Sequence, residues 1–376
     1  LCFSPLIHMI SVTSDHTVML YFFVLMSAMR EMCSQFSRAK GYVKLYAFDG
    51  FLTTFMTCLL TIIFLMGFKW GINGYLSAII ITDALSALFL FFSARLYKNI
   101  KFKGLDKRTF KMMLRYAIPM IPTTLLWWIV SVSDRYIITY MLGADANGLY
   151  AAAYKIPTIV VLVSTIFMDA WQVSAVSEIK DRRALAKFFS NVFRGYQSII
   201  FLAGSLLIPF SKICTIILVA GDYYESWRYI PFLMLATIYN CMVQFMGSVY
   251  MIERKGVTTL ITSIIAAATN IIGNFILIPI CGVNGAAYST CFSYFIVFVI
   301  RAIHTRKFIR INYSVLKFGV NAILTLAQAI IMITEVPGWI IYEVILTLLV
   351  LLLNIKVLIL SFKKIVGRFG RKKAKT

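Results

Sequence analysis

Between Tyr116 and Gln172 the sequence sets three charged side chains, Asp134, Arg135 and Lys155, into otherwise apolar runs. An ionisable group at the centre of a bilayer costs about 2.5–3.5 kcal/mol on insertion scales, so each asks for a partner or a function. Asp134 and Arg135 fall eight or nine residues before a turn at Gly143, and Lys155 falls seven after Gly148. At about 1.5 Å per helical residue, all three sit at a similar depth in one helical hairpin and can meet. Asp134 can neutralise one cation. Two cations against one carboxylate still leave a positive surplus, which in a wet cavity favours an anionic ligand, and a guanidinium can hold phosphate oxygens at two points. Trp127 and Trp128, about two turns deeper, offer faces for sugar stacking or for interior packing. The candidate substrate-binding set is therefore Arg135, Lys155, Asp134, Trp127, Trp128 and Arg30, the last facing either a cavity or, by snorkelling, the interface.

Asp83, alone in its apolar run, and Asp169 are candidate ion-coupling carboxylates, with packed or hydrated carboxyls as the plainer reading. The seven cysteines, Cys2, Cys33, Cys58, Cys214, Cys241, Cys281 and Cys291, show no C-x-x-C spacing and read as small apolar packing residues. Three histidines without carboxylates at ligand spacing give no metal site. No cofactor is expected. An enzyme of this class needs a carboxylate or histidine constellation on a long outer loop, and the short outer loops hold none.

The elements that would position these residues are membrane spans. The chain has 376 residues, 60% hydrophobic and 14% charged, well beyond the roughly 45–50% apolar share of soluble domains. Runs of about 20 apolar residues place eleven spans near 17–35, 47–67, 75–96, 115–142, 150–172, 195–219, 229–251, 258–280, 285–303, 314–334 and 338–361. The fold class is an all-α polytopic membrane protein. Pro119 and Pro122 fall in the first turns of their span and Pro157 near the start of the next, where they permit bends. Residues Leu1 to Val12 read as the tail of a further span.

A net charge of +22 would suit nucleic acid if it lay on a solvated face, but the basic residues cluster between apolar runs. Alternate connections and the tail together carry 30 of the 37 Lys and Arg residues, the pattern of cytoplasmic loops. This assigns the carboxyl tail to the cytoplasm and excludes nucleic acid as a partner. The tail GRFGRKKAKT reads as a topology anchor, or else as a contact for anionic membrane lipids.

Lys40-Gly41 followed by GING (Gly71 to Gly74) resembles Lys255-Gly256 followed by GVNG (Gly282 to Gly285), with the two turns offset by 211 residues. Gly and Asn tolerate the left-handed angles of such turns. The repeat divides the chain into a partial first lobe of about three helices (1–96), a basic linker (97–114), a six-helix lobe (115–303), two additional helices (304–361) and a basic tail (362–376). It also places roughly three helices of the first lobe ahead of Leu1. Paired lobes that rock about a site between them are a transporter architecture.

The segments IPMIP, WW, SDRYIITYMLG, GLYAAAYKI and DAWQ, with RAKGYVKLYAFDG more loosely, resemble the polysaccharide repeat-unit flippases, the O-antigen and teichoic-acid exporters of the multidrug/oligosaccharidyl-lipid/polysaccharide exporter superfamily. The resemblance implies two six-helix lobes plus two further helices. It also implies flipping of undecaprenyl-pyrophosphate-linked oligosaccharides across a bacterial cytoplasmic membrane by alternating access, with Arg135 and Lys155 holding the pyrophosphate. Lipid-linked oligosaccharide, membrane lipids and glycan-assembly enzymes are the implied partners. The alternatives are cation-coupled multidrug export by a superfamily relative, for which an acidic, aromatic cavity is expected, and a membrane glycosyltransferase or polymerase.

Overall fold

The computed structural model describes residues 16–99, 106–177, 182–219 and 221–373; the stretch Leu1 to Val12 with Cys2, part of the basic linker, Lys180 and Lys375 lie outside them. Among the described residues every regular element is helical. Helices α1 (Thr17–Ala39), α2 (Val43–Ile62, prolonged by a π turn over Ile63–Gly67) and α3 (Gly71–Ser93) belong to one compact unit that ends at Asp106. The second unit begins at Lys107. It holds α4 (Lys107–Leu142), α5 (Ala144–Ala153), α6 (Pro157–Ser177), α7 (Arg182–Leu207), α8 (Ser211–Leu218), α9 (Ile230–Ile252), α10 (Gly256–Cys281), α11 (Val283–Thr305), α12 (Val315–Thr334) and α13 (Trp339–Lys373).

Among the described residues nine helices are long and apolar enough to cross a bilayer, and the spans number eleven when the bent pairs α5–α6 and α7–α8 each count as one. This is the multi-pass all-α fold expected from the apolar runs. The two bent pairs correct the picture of straight spans. The expected fifth span bends by 46° between α5 and α6. The break directly precedes Pro157, which lacks a donor and is accommodated at a helix start. The expected sixth span starts at Arg182 instead of near 195, and bends by 76° into α8 past Pro209. Its basic first turns lower the hydropathy without ending the helix, because Phe189, Phe193 and Tyr196 keep a buried stripe at helical spacing.

Similar extensions occur elsewhere. Helix α4 takes in the second half of the expected linker, so Pro119 and Pro122 lie inside the helix rather than in its first turns. The Thr123 hydroxyl donates to the Pro119 carbonyl at 2.8 Å, occupying an acceptor in this proline-interrupted stretch. Helix α13 continues to Lys373, through most of the expected tail.

The repeated turns are built alike. Gly71 and Gly282 hold φ of +55° and +61° at the starts of α3 and α11. The second glycine of each motif lies within the following helix, where a Cβ would crowd the preceding segment: 3.1 Å from the Phe64 Cβ at Gly74, and 2.2 Å from the Leu277 carbonyl oxygen at Gly285. The asparagines between them are not left-handed, contrary to the expectation from the turn composition. The other halves of the repeat differ. Gly41 has φ +81°, whereas the second copy turns at Arg254 (φ +53°) and a Cβ on Gly256 would meet the Tyr116 carbonyl oxygen at 2.7 Å.

Within the second unit α9 is the core. Residues Ile230, Leu233, Met234, Leu235, Ala236, Ile238, Tyr239 and Val243 point in every direction around it and are all buried, as a helix apolar on all sides requires. Trp171 stacks on Phe245 at 5.3 Å, with Phe193 and Tyr196 on the same ring. The helices α10 and α11 pair and pack on α4, while α12 and α13 pair and pack on α7. Large apolar side chains stay exposed on many helices, among them Phe51 and Phe55 on α2 and Leu352 on α13. Hydrocarbon solvates such faces, and the helical backbone satisfies itself.

Candidate functional site

Asp134 lies eight residues before the end of α4 and is 1% exposed. The Tyr150 and Thr290 hydroxyls donate to its Oδ2 at 2.7 and 2.6 Å, and the side-chain amides of Asn270 and Asn274 donate to its Oδ1 at 3.0 and 2.7 Å. The donors come from α5, α10 and α11, so one carboxylate ties four helices together. Asn270 and Asn274 stand one turn apart on a single face of α10. Asn270 also receives the Ser133 hydroxyl at 2.8 Å and donates to Thr290 at 3.0 Å. The cage is made of neutral donors. Asp134 pairs with neither Arg135 nor Lys155, so the expected meeting of three charges does not occur. Both carboxyl oxygens of Asp134 are thus occupied by donors from the protein itself.

Arg135, one residue on, points the other way. It is exposed on the face of α4 that carries Trp128, Tyr136 and Tyr140, with its guanidinium 6.0 Å from the Tyr154 ring. Lys155 follows Tyr154 at the break between α5 and α6 and is exposed as well. Among the described ion pairs neither cation appears. The two tryptophans divide. Trp128 is 60% exposed, whereas Trp127 is half-buried, stacked on Tyr294 at 5.9 Å and facing the Arg301 guanidinium at 5.8 Å. Trp127 is thus an interior packing residue, and the pair does not present two free faces.

In the first unit Asp83 is not alone. On α3 it accepts from the Ser27 hydroxyl and forms an ion pair with Arg30 at 3.3 Å, both partners on α1. Arg30 neither snorkels nor stands free. A second carboxylate that the sequence reading passed over, Asp49 on α2, is 1% exposed and accepts from the Ser86 hydroxyl of α3 at 2.6 Å. Asp169 is half-buried on α6 and has a polar partner.

Two further buried groups escaped the sequence reading. Arg301, one of the basic residues counted with the alternate connections, lies inside α11 at 2% exposure. Its Nε and Nη2 donate to the Thr262 hydroxyl at 3.1 and 2.8 Å, and its Nη1 to the Val243 carbonyl at 3.0 Å. Glu343 lies in α13 at 1% exposure, accepting from the Gln328 side-chain amide at 3.0 Å. The available signal was the rarity of charge inside apolar runs. That signal is weak for Arg301 and Asp49, which fall near the ends of the expected spans, and the caging asparagines carry no charge. Among the described residues no group of three or more His, Cys, Asp or Glu could hold a metal ion.

Residues 2–172 match the family model described as "Polysaccharide biosynthesis protein". No curated protein sequence matches the chain significantly. Solved structures are similar in fold. A mutant of the Vibrio cholerae MATE transporter VcmN is 15% identical, with a TM-score of 0.67 over 77% of this chain and 68% of that one. A MOP superfamily transporter from Pyrococcus furiosus, whose description reports reverse polarity of its binding pocket, is 11% identical, with a TM-score of 0.68 over 82% of this chain and 74% of that one. The lipid II flippase MurJ, in an inward closed conformation, is 14% identical, with a TM-score of 0.58 over 94% of this chain and 74% of that one. Residues 2–172 therefore resemble the polysaccharide biosynthesis protein family, and the chain is similar in fold to the MATE, MOP superfamily and MurJ structures.

Proposed function

We propose that this protein flips polyprenyl-diphosphate-linked oligosaccharide units across a bacterial cytoplasmic membrane for surface polysaccharide assembly, by alternating access and without catalysing a covalent step. One observation carries the substrate class: Asp134, the carboxylate adjacent to Arg135 in the chain, is occupied by Tyr150, Asn270, Asn274 and Thr290. Arg135 and Lys155 are left exposed within an apolar span with no counter-charge among the described ion pairs. An unneutralised guanidinium, set 6.0 Å from the Tyr154 ring, and the exposed ammonium of the next residue along suit a diphosphate far better than a cationic drug. The match of residues 2–172 to polysaccharide biosynthesis proteins supports the same reading.

Trp128, exposed a little under two turns from Arg135, is the aromatic face available to a sugar. Asp134 is a candidate coupling group in this reading: a change in its charge state would alter all four contacts of its cage together. Arg135→Glu places an anion where the diphosphate would sit. It should abolish export of lipid-linked glycan in cells that lack another exporter, while the protein still reaches the membrane. Wild-type export by that variant removes Arg135 from the mechanism. Drug-resistance profiling of cells with and without the protein separates this proposal from multidrug export, which predicts a resistance phenotype.

A further inference from the structure

The second pair of helices behind the six-helix lobe holds a carboxyl that no ion pair explains. Glu343 sits one turn into α13, fully enclosed, and its Oε2 accepts from the Gln328 amide of α12 at 3.0 Å. The same amide nitrogen lies 2.9 Å from the Thr347 hydroxyl and 3.2 Å from the Ser205 carbonyl of α7, so three acceptors share its two N–H groups. Two oxygens are left over. Neither Glu343 Oε1 nor Gln328 Oε1 has a hydrogen-bond partner, although both are buried.

Both are acceptors when the acid is ionised, and no donor is supplied for either. A carboxylic acid and a primary amide, however, form a two-bond pair in which the acid O–H donates to the amide oxygen while the amide N–H donates to the acid carbonyl. One added proton satisfies both orphan oxygens and removes an unpaired buried charge, which would otherwise be strongly disfavoured. Among the described residues no ion pair reaches Glu343. Lys212 and Glu335 pair with each other at the turn beyond α12, with Lys212 over the Trp227 and Trp339 rings. Arg194 of α7 bonds the Asn312 carbonyl, toward the end of that helix remote from Ser205. Lys317 lies in the first turn of α12, Lys356 lies more than three turns along α13, and Tyr342 is exposed. Helix α9, packed against α12, carries no charged side chain.

We propose that Glu343 binds a proton within the membrane, and that the protonated acid, paired with Gln328, docks α13 onto α12 and α7. The site makes the packing of the two carboxyl-terminal helices dependent on pH, and this stands apart from the substrate reading. The step is Glu343 carboxylate plus one proton giving the neutral acid, with no other reactant.

The test is infrared difference spectroscopy of the full chain in lipid nanodiscs between acid and alkaline buffer, with thermal unfolding over the same range. The wild type should show a hydrogen-bonded carboxylic-acid C=O band that disappears on raising the pH and is absent from Glu343→Gln. Its stability should fall as pH rises through that window, because the folded state binds the extra proton, whereas Glu343→Gln should show no such slope. Gln328→Met, which removes the amide but not the acid, should shift the band toward the position of a free acid. The proposal is overturned if Glu343→Gln keeps the band. It is also overturned if Gln328→Met leaves the band unmoved, or if sodium, but not potassium, stabilises the wild type through Glu343.

Discussion

Asp134 and Arg135 are adjacent in sequence, yet the helix turns one into a polar cage and the other onto an exposed face. Their substitutions should therefore separate stability from transport. Removing the Asp134 carboxylate leaves four buried donors without their acceptor, so Asp134→Ala should lower unfolding free energy by about 3–5 kcal/mol, in the range seen when one partner is stripped from a buried charged network. Arg135→Ala should change stability by less than about 0.5 kcal/mol, as exposed sites do, while reducing glycan export. Thermal unfolding in detergent and an export assay on the same two variants read both quantities. Arg301 gives a second residue-scale prediction. A Cβ at Gly247 would lie 2.9 Å from its Nη1, so Gly247→Ala must push aside a guanidinium held by Thr262 and Val243. That crowding should cost about 1–3 kcal/mol in the wild type and largely vanish in an Arg301→Met background, a coupling that a double-mutant cycle measures directly.

At the scale of elements, the repeated G-x-N-G turn joins two helices through two different demands. Gly282 needs a backbone conformation that side chains rarely adopt, and Gly285 needs the space beside the Leu277 carbonyl. The second demand is the harsher in this copy, because the obstructing atoms are backbone. Gly285→Ala should prevent accumulation of folded protein, Gly282→Ala should cost about 1–2 kcal/mol, and Gly74→Ala, facing a Cβ at 3.1 Å, should cost less than Gly285→Ala. Fluorescence-detected size exclusion of the three variants ranks them. The apolar runs made the helices legible, and the glycine pattern made the likeness of the two turns legible, because both rest on local composition. The bends at Pro157 and Pro209, and the amphipathic starts of α4 and α7, were less so. A hydropathy window averages over a break and stops at basic residues even when a buried stripe continues. The site was legible only in part: charge inside an apolar run pointed to Asp134, Arg135, Lys155 and Asp83. The partners that decide their roles, Asn270, Asn274, Thr290 and Ser27, come from distant sequence and are neutral.

For the whole molecule, orientation decides which leaflet the proposed diphosphate site serves. Apart from the buried Arg301, clusters of Lys and Arg at alternate connections and in the tail hold 29 of the 37 basic residues, and short loops rich in such residues stay on the cytoplasmic side. An odd number of spans then separates the tail from the turn at Gly143, where α4 ends. Arg135 lies seven residues before Leu142, about 10 Å along the helix from that turn, which puts both cations in the outer half of the membrane if the tail is cytoplasmic. A fluorescent protein fused after Thr376 should fluoresce, and alkaline phosphatase at the same position should be inactive. Cysteines placed in the turn at Gly143 should react with an impermeant reagent added outside intact cells. The opposite pattern would place Arg135 and Lys155 in the inner half, where they would meet a diphosphate on entry rather than after it has crossed the midplane.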